Sequence, residues 1–482
     1  MKRRFISIIK NYPRTFWAAN TLELFERWAY YGIFNLLALY LTGSQDTGAL
    51  GFSQVQKGLI MGIVNAILYF LPIVTGSIAD KYGYKRVLFI AFIILSTGYF
   101  LMGVVSSFAA IFITFFYVAI GAALFKPIVS ATISKTTDEN SSSVGFGIFY
   151  MVINIGALIG PYLASELREL KWQYIFMMSS GIILLNIIIL LIFYKETDHK
   201  EITEPLGKSF RQIFKNIYIA LQDRKFLFFL IIIIGGWTVY WQFFYSLPVF
   251  IEQWTSTSPI YNTIFKIFPG LAEAIATKDG NILPEKFILL DAFFIILLQL
   301  PISAVVMRYK PINTMIAGFL VNAIGLSLAF ITSNGWVLVM ALFIFSIGEM
   351  CFSPKILEYI SNLAPRDKAA LYMGSNFLPM AVGNFLGGLL SGKIYEIFSD
   401  KYILLGREIE RWHLELPAIS AEFTKNDYFT RAAELMGMDN QSLTEYLWLN
   451  YYPSRFGFIL ITIGVLTALA LLIYDKFIYR YK

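Results

Sequence analysis

The chain has 482 residues, of which 57% are hydrophobic and 15% charged, with 44 phenylalanines and 29 tyrosines. A chain of this length and apolarity is excluded from the soluble globular class and reads as an all-α integral membrane protein. Its net charge of +7 is explained by short basic loops beside membrane spans and calls for no nucleic acid.

Apolar runs of spanning length are expected at 15–42, 54–80, 86–106, 108–133, 144–166 and 174–194. A second set follows at 226–253, 284–308, 311–332, 335–363, 370–395 and 454–475. Numbered in chain order as spans, they make about twelve helices, each near the ~20 residues that a bilayer demands. MKRRF is basic, but no short apolar segment with a small-residue cleavage site follows it, so span 1 is expected to serve as its own signal.

Orientation follows from the short loops. Lys2, Arg3, Arg4, Lys10 and Arg14 precede span 1, Lys81, Lys85 and Arg86 join spans 2 and 3, and Arg308 and Lys310 join spans 8 and 9. Arg366 and Lys368 join spans 10 and 11, and the chain ends in DKFIYRYK. With an even number of spans these all fall on one side, which places both termini in the cytoplasm. The loop near 396–450 carries Lys401, Arg407, Arg411, Lys425 and Arg431 on the outer side, mixed with Glu408, Glu410, Glu415 and Glu422. It suggests no function of its own.

The polar stretch Tyr194–Phe214 divides the chain, and Phe210–Leu221 has the pattern of an amphipathic surface helix. The expected organisation is an N-terminal six-helix bundle over 1–194, a cytoplasmic linker over 195–225 and a C-terminal six-helix bundle over 226–482. Two such halves suit an alternating-access transporter with its site between them near mid-membrane, while topology alone also fits a polytopic enzyme or an assembly factor. Cys351 is the only cysteine, so neither an intramolecular disulfide nor a thiolate metal cluster is expected. His199 and His413 fall outside the spans, so proton chemistry within the membrane must use carboxylates.

Carboxylates are present in span 1, in the stretch ELFERWAYYG from Glu23 to Gly32. On a helix Glu23, Glu26, Arg27, Tyr30 and Phe34 form one stripe, and its charges must face the bundle interior or a water-filled cavity, because lipid would not tolerate them. Arg27 can bind either carboxylate and would be released when a glutamate takes a proton, so the cluster reads as a bistable charge network or, more blandly, as a static salt bridge. Between spans 2 and 3, GSIADKYGYKR runs from Gly76 to Arg86. There Gly76 and Gly83 would allow close packing and a tight turn, and Asp80 would meet a helix N-terminus or a basic partner.

That loop resembles the G-x-x-x-D-[RK]-x-G-[RK]-[RK] signature of the major facilitator superfamily, which implies the major facilitator fold of twelve transmembrane helices in two six-helix bundles. Span 1 resembles E-x-x-E-R-[FW]-x-Y-Y-G of the proton-dependent oligopeptide transporter family within it, with Trp28 in place of the usual Phe. FKPIVS around Lys126, FYMVINIGAL at Phe149–Leu158, GEMCFSPKILEYISNLAP around Glu349 and MGSNFLPMAVGNFLGG in span 11 are similar to further family motifs in the right order.

The resemblance implies residue roles. Glu23, Glu26 and Arg27 would couple proton binding to movement. Lys126 of span 4 and Glu349 of span 10 would pair across the halves on the cytoplasmic side and contact substrate termini. Tyr30, Tyr69 in LYFLP, and Asn154 would hydrogen-bond peptide backbone, with helix packing as the alternative.

The chain also departs from the family. Phe34 stands where peptide transporters usually carry a second arginine, and Tyr240 and Trp241 in WTVYWQ replace the span 7 glutamates that pair with it at the outer gate. Asn376 replaces a span 11 tryptophan, and Asp291 in LLDAFF stands at a position that is often Asn. The outer half of the site would then have lost a cation and gained a carboxylate, unless Asp291 caps the outer end of span 8.

The expectation is a proton-coupled symporter, not an enzyme, that imports di- or tripeptides or peptide-like solutes by alternating access. It would work as a multi-pass monomer in the lipid bilayer of a bacterial inner membrane, with protons as the coupling ion and no metal or other cofactor. Import of another small nitrogenous metabolite is the alternative that the lost arginine supports, and drug/proton antiport is the remoter one.

Overall fold

A computed structural model describes residues 11–138, 141–196, 206–277, 280–365 and 368–479. Lys2, Arg3, Arg4, Lys10, His199, Arg366 and the linker centre at 197–205 lie outside them. The regular secondary structure of the described residues is helical, apart from isolated bridges joining Ser256 to Asn334 and Ala276 to Ile282.

All the expected spans are helices. Span 1 is Arg14–Thr42, span 2 is Gln54–Phe70 followed after Leu71 by Pro72–Tyr82, span 3 is Tyr84–Met102, span 4 is Phe108–Lys135, span 5 is Ser142–Leu170 and span 6 is Trp172–Phe193. The surface helix extends over Leu206–Leu221. Span 7 opens as Arg224–Tyr240 and continues in short pieces, Gln242–Tyr245 and Leu247–Trp254, so Tyr240 and Trp241 sit at its first break. Spans 8, 9 and 10 are Pro284–Val306, Pro311–Ile331 and Gly335–Leu363, span 11 runs from Ala369 to Phe398 in four pieces, and span 12 is Arg455–Ile473.

Ten helices among the described residues are long and apolar enough to cross a membrane, and eleven if the halves of span 2, bent by 47°, count together. Span 1, with 29 residues, is long enough but is not among them. Its buried charges lower its apolarity, which is the mark of a helix whose polar face is sheltered by protein. Proline at Pro127, Pro161, Pro301 and Pro354 is carried inside spans, where neighbouring helices can satisfy the freed backbone groups.

The chain forms two compact units: Met1–Phe34 with Val64–Gln222, and Asn35–Ile63 with Asp223–Lys482. Within the first, span 5 lies on span 1 through glycines. A Cβ on Gly160 would stand 2.3 Å from the Trp28 carbonyl oxygen, and one on Gly156 would stand 2.7 Å from the Arg27 Cβ. Only glycine permits this approach, and it brings span 5 against the charged stripe. Gly83 takes φ +88° at the turn after span 2, as expected. Gly76 meets only the Pro127 Cβ at 3.9 Å, an ordinary contact, so the close packing expected there is not found.

In the second unit, an aromatic layer fills the space beside spans 7 and 10. Phe243 stacks on Phe345 at 4.6 Å between ring centres, and Phe319 stacks on Phe352 at 4.4 Å. The segment near 396–450, expected as a loop, is built of three helices, Lys401–Arg411, Lys425–Leu435 and Asn440–Tyr451. Asp400, Thr424 and Asp439 cap them, Thr424 through a reciprocal capping box with Asp427. Caps satisfy the backbone donors that a short helix cannot satisfy internally.

Candidate functional site

The first unit gathers its charges on span 1 as the periodicity required. Glu23, Glu26 and Arg27 are all buried. Arg27 Nε donates to Glu26 Oε2 at 2.6 Å, a second guanidinium nitrogen contacts the same oxygen, and Arg27 Nε lies 3.3 Å from Glu23 Oε1. One guanidinium therefore serves two carboxylates. Glu26 Oε1, also buried, has no hydrogen-bond partner among the described residues, so this carboxylate has an unfilled lone-pair site where a proton could add.

Lys126 comes to the same place from span 4. Its Nζ lies 4.5 Å above the Tyr69 ring and 6.0 Å from that of Tyr30, and it feels the charges of Arg27, Glu26 and Glu23. Arg27 in turn lies 5.0 Å above Tyr30 and 5.7 Å above Tyr31. Aromatic faces thus spread over both cations, an arrangement that holds them without neutralising them. Phe34 continues the stripe by stacking on Tyr30 at 5.2 Å. Asn154 of span 5 uses its amide NH2 on the Tyr150 carbonyl at 2.8 Å, one turn back on its own helix.

Asp80 takes a different role from the one its position suggested. Tyr84 OH donates to Asp80 Oδ1 at 3.0 Å, whereas the N-terminus of span 3 is capped by Glu196, which accepts from the Tyr84 and Lys85 backbone N–H groups at 2.8 Å each. The anion at the helix end comes from the far side of span 6, where sequence spacing gives no signal.

The second unit brings Asp291, Glu349 and Tyr240 into its own polar group. Ser346 Oγ donates to Asp291 Oδ1 at 2.6 Å, and Tyr240 OH donates to Glu349 Oε1 at 3.1 Å. Asp291 is buried within span 8, two turns past Pro284, so the reading of it as an end cap is corrected: its hydrogen bond goes to span 10. The two carboxylates lie close enough for Glu349 to feel the charge of Asp291. Glu349 Oε2 has no hydrogen-bond partner among the described residues. Asn376 is buried beside Met380, its Nδ2 at 4.0 Å from the sulfur, and Trp241 is buried edge-on against Tyr240 at 5.4 Å.

Sequence reasoning placed Tyr240 at a gate and Glu349 in the pocket without joining them, and it missed Ser346 altogether. It also passed over Lys57, a fully buried lysine inside span 2. That signal was available, because a charged residue within a span marks function by default.

The profile of the Major Facilitator Superfamily matches residues 16–283 and 285–413. The chain belongs to this superfamily. It is 25% identical over 430 residues to the dipeptide and tripeptide permease B of Photorhabdus asymbiotica subsp. asymbiotica, covering 79% of this chain and 86% of that relative. Its fold is similar to that of a POT family transporter solved in complex with 5-aminolevulinic acid, with a TM-score of 0.68 and 17% identity over 96% of each chain. The nucleoside transporter NupG, solved as a D323A mutant, matches equally well in shape, with a TM-score of 0.69 and 13% identity over 96% of this chain and all of that one. Fold alone therefore does not separate substrate classes. The span 1 charges, the span 4 lysine and the span 10 glutamate stand on spans of this major facilitator fold, and the sequence is similar to that of a peptide permease.

Proposed function

We propose that this major facilitator is a proton-coupled symporter that imports di- or tripeptides or peptide-like solutes by alternating access between six-helix halves over 1–194 and 226–482, joined by the 195–225 linker. The observation that carries the reading is the span 1 cluster: one buried guanidinium bound to two buried carboxylates, one of which keeps an oxygen without a hydrogen-bond partner among the described residues. Protonation of Glu26 or Glu23 loosens Arg27, which couples the proton to a change of conformation.

Lys126 and Glu349 serve as the substrate-facing pair of the cytoplasmic gate, with Tyr30, Tyr69, Asn154, Asp291 and Asn376 lining the pocket. Phe34, Tyr240 and Trp241 replace an ionic outer gate by aromatic surface, and Asp80 steadies the loop between spans 2 and 3. Both termini face the cytoplasm of a bacterial cell, the protein spans its inner membrane as a monomer, and it uses protons as the coupling ion with no cofactor. Its named relative is a permease, which supports transport over catalysis.

A second reading, import of another small nitrogenous metabolite, is favoured by the second unit, where Asp291 and Glu349 suit an amine better than a carboxylate. Thermal stabilisation of purified protein by a panel of peptides, amino acids and amines tests both, since a ligand that binds only the folded state raises its melting temperature by mass action. Stabilisation by dipeptides supports the first reading. Stabilisation by amines alone moves the assignment to the second.

A further inference from the structure

The second unit includes the Asn35–Ile63 segment, which is the far half of span 1, the following loop and the first half of span 2. Each of those spans is one continuous helix at the point where the unit changes. Three features hold this segment. The first is a glycine crossing between spans 2 and 11: a Cβ on Gly58 would stand 2.3 Å from the Gly388 carbonyl oxygen, and one on Gly388 would stand 2.4 Å from the Gly62 Cα. Backbones touch there with no side chain between them.

The second is a buried polar chain at the end of that crossing. Lys57, fully buried, donates to Gln54 Oε1 at 2.8 Å, and Gln54 donates to Asp400 Oδ2 at 2.7 Å. Asp400 also caps the first inserted helix, Lys401–Arg411. A lysine and an aspartate linked through one amide relieve each other's charge only while span 2 and the inserted segment stay together.

The third is the second inserted helix. Lys425 donates to the Thr42 carbonyl at 2.8 Å and the Phe52 carbonyl at 3.1 Å, closing the C-terminal end of span 1 and the loop after it. A cation on those carbonyls is favourable for the same reason that cations gather at helix C-termini. Beside it the Asn426 N–H donates to Ser44 Oγ at 3.1 Å, and its side chain donates to Asp46 at 2.8 Å.

We infer that the inserted segment 400–451 is the latch of the outer gate: it grips spans 1 and 2 through Lys425, Asn426 and Asp400, and must let go each time the transporter opens outward. This rests on the transport reading and on the sidedness proposed above. It assigns a function to the one region that neither the family motifs nor the substrate site explains.

The test uses full-length protein in a Cys351→Ser background. Ser44→Cys with Asn426→Cys is the pair to oxidise, since Ser44 Oγ already lies 3.1 Å from the Asn426 backbone nitrogen. In proteoliposomes under an inward proton gradient, oxidation is expected to lower uptake of labelled dialanine by about tenfold or more, with recovery on reduction. Full-rate uptake by the cross-linked protein overturns the latch. If the reduced protein takes up no dialanine, the substrate assignment fails, and hydrogen exchange then decides the latch alone. Lys425→Met should speed amide exchange over residues 36–62 by about tenfold, while Arg431→Ala, which removes a surface pair with Glu434 on the same helix, should leave it unchanged. Unaltered exchange in Lys425→Met overturns the inference whatever the substrate.

Discussion

The polar groups of the first and second units hold acids under opposite conditions. In the first, Glu23 and Glu26 share Arg27, and Lys126 stands near them. In the second, Asp291 and Glu349 lie near each other and receive only the neutral donors Ser346 and Tyr240, with no ion pair to either carboxylate among the described residues. A paired buried carboxylate is stable as an anion and titrates when its partner leaves. Two unpaired ones resist being charged together. The first group is therefore suited to coupling a proton to movement, and the second to receiving a cationic substrate group or a proton in its place.

The largest test of this contrast is Glu26→Gln. It removes the carboxylate that holds Arg27 most closely, so accumulation of dialanine driven by an inward proton gradient should be abolished. Exchange of internal for external solute should persist, because it needs the pocket but no net proton movement. Wild-type accumulation at low external pH would break the assignment. The same variant leaves Arg27 paired with Glu23 alone, so stability should also fall, by less than the ~3–5 kcal/mol that stranding a buried charge outright costs.

Glu349→Gln should behave in the opposite sense. It relieves repulsion from Asp291 and keeps an acceptor for Tyr240, so its melting temperature is expected to match or exceed that of the wild type even where uptake falls. A loss of stability as large as that of Glu26→Gln would show that Glu349 has a cationic partner and would erase the contrast between the units.

Much of this was legible in the sequence, and the reasons differ by element. The spans could be read because length and apolarity are local properties of a membrane helix. The span 1 stripe could be read because residues three and four apart share a face, and the structure joins Arg27 to both glutamates as that geometry requires. Asp291 could not be placed, because its partner Ser346 is 55 positions away and only the packing of spans 8 and 10 brings them together. The inserted helices were hidden for another reason. They are short and mixed in charge, and their strongest signal, Thr424 followed by Asp427, is a capping box without a long apolar run behind it. Lys57 was overlooked although the residue was plain, because the apolar run around it was read only for its length.

A smaller effect should appear at the substrate. The cations that could hold a carboxylate, Arg27 and Lys126, are both already engaged with the span 1 acids or with aromatic faces, and Phe34 adds none. Competition by a dipeptide and by its C-terminal amide should therefore differ by less than about tenfold in affinity, or roughly 1.4 kcal/mol. A larger loss on amidation would show that the first unit binds the carboxyl terminus strongly and that its cations are not reserved for coupling.

Acidification reaches both units at once, so the contrast needs a control outside the membrane, and Asp46 in the loop after span 1 provides it. Burial raises its carboxyl, but hydrogen bonds with Ser44 and Asn426, aided by Thr424, outweigh this and hold it below its ordinary value. Tyr402 of the first inserted helix feels the charge of Asp46. A depressed folded value means that the contribution of Asp46 is complete above its unfolded value, about 3.9, and is lost only as pH falls through the lower folded value. Amide exchange over residues 36–62, corrected for its intrinsic pH dependence, should thus stay constant between about pH 7 and pH 5 and rise only below about pH 4. Proton-driven uptake measured in the upper window is then free of any contribution from Asp46. Exchange that rises already between pH 7 and pH 5 would show instead that the outer contacts titrate together with transport, and changes in uptake could no longer be assigned to Glu23 and Glu26.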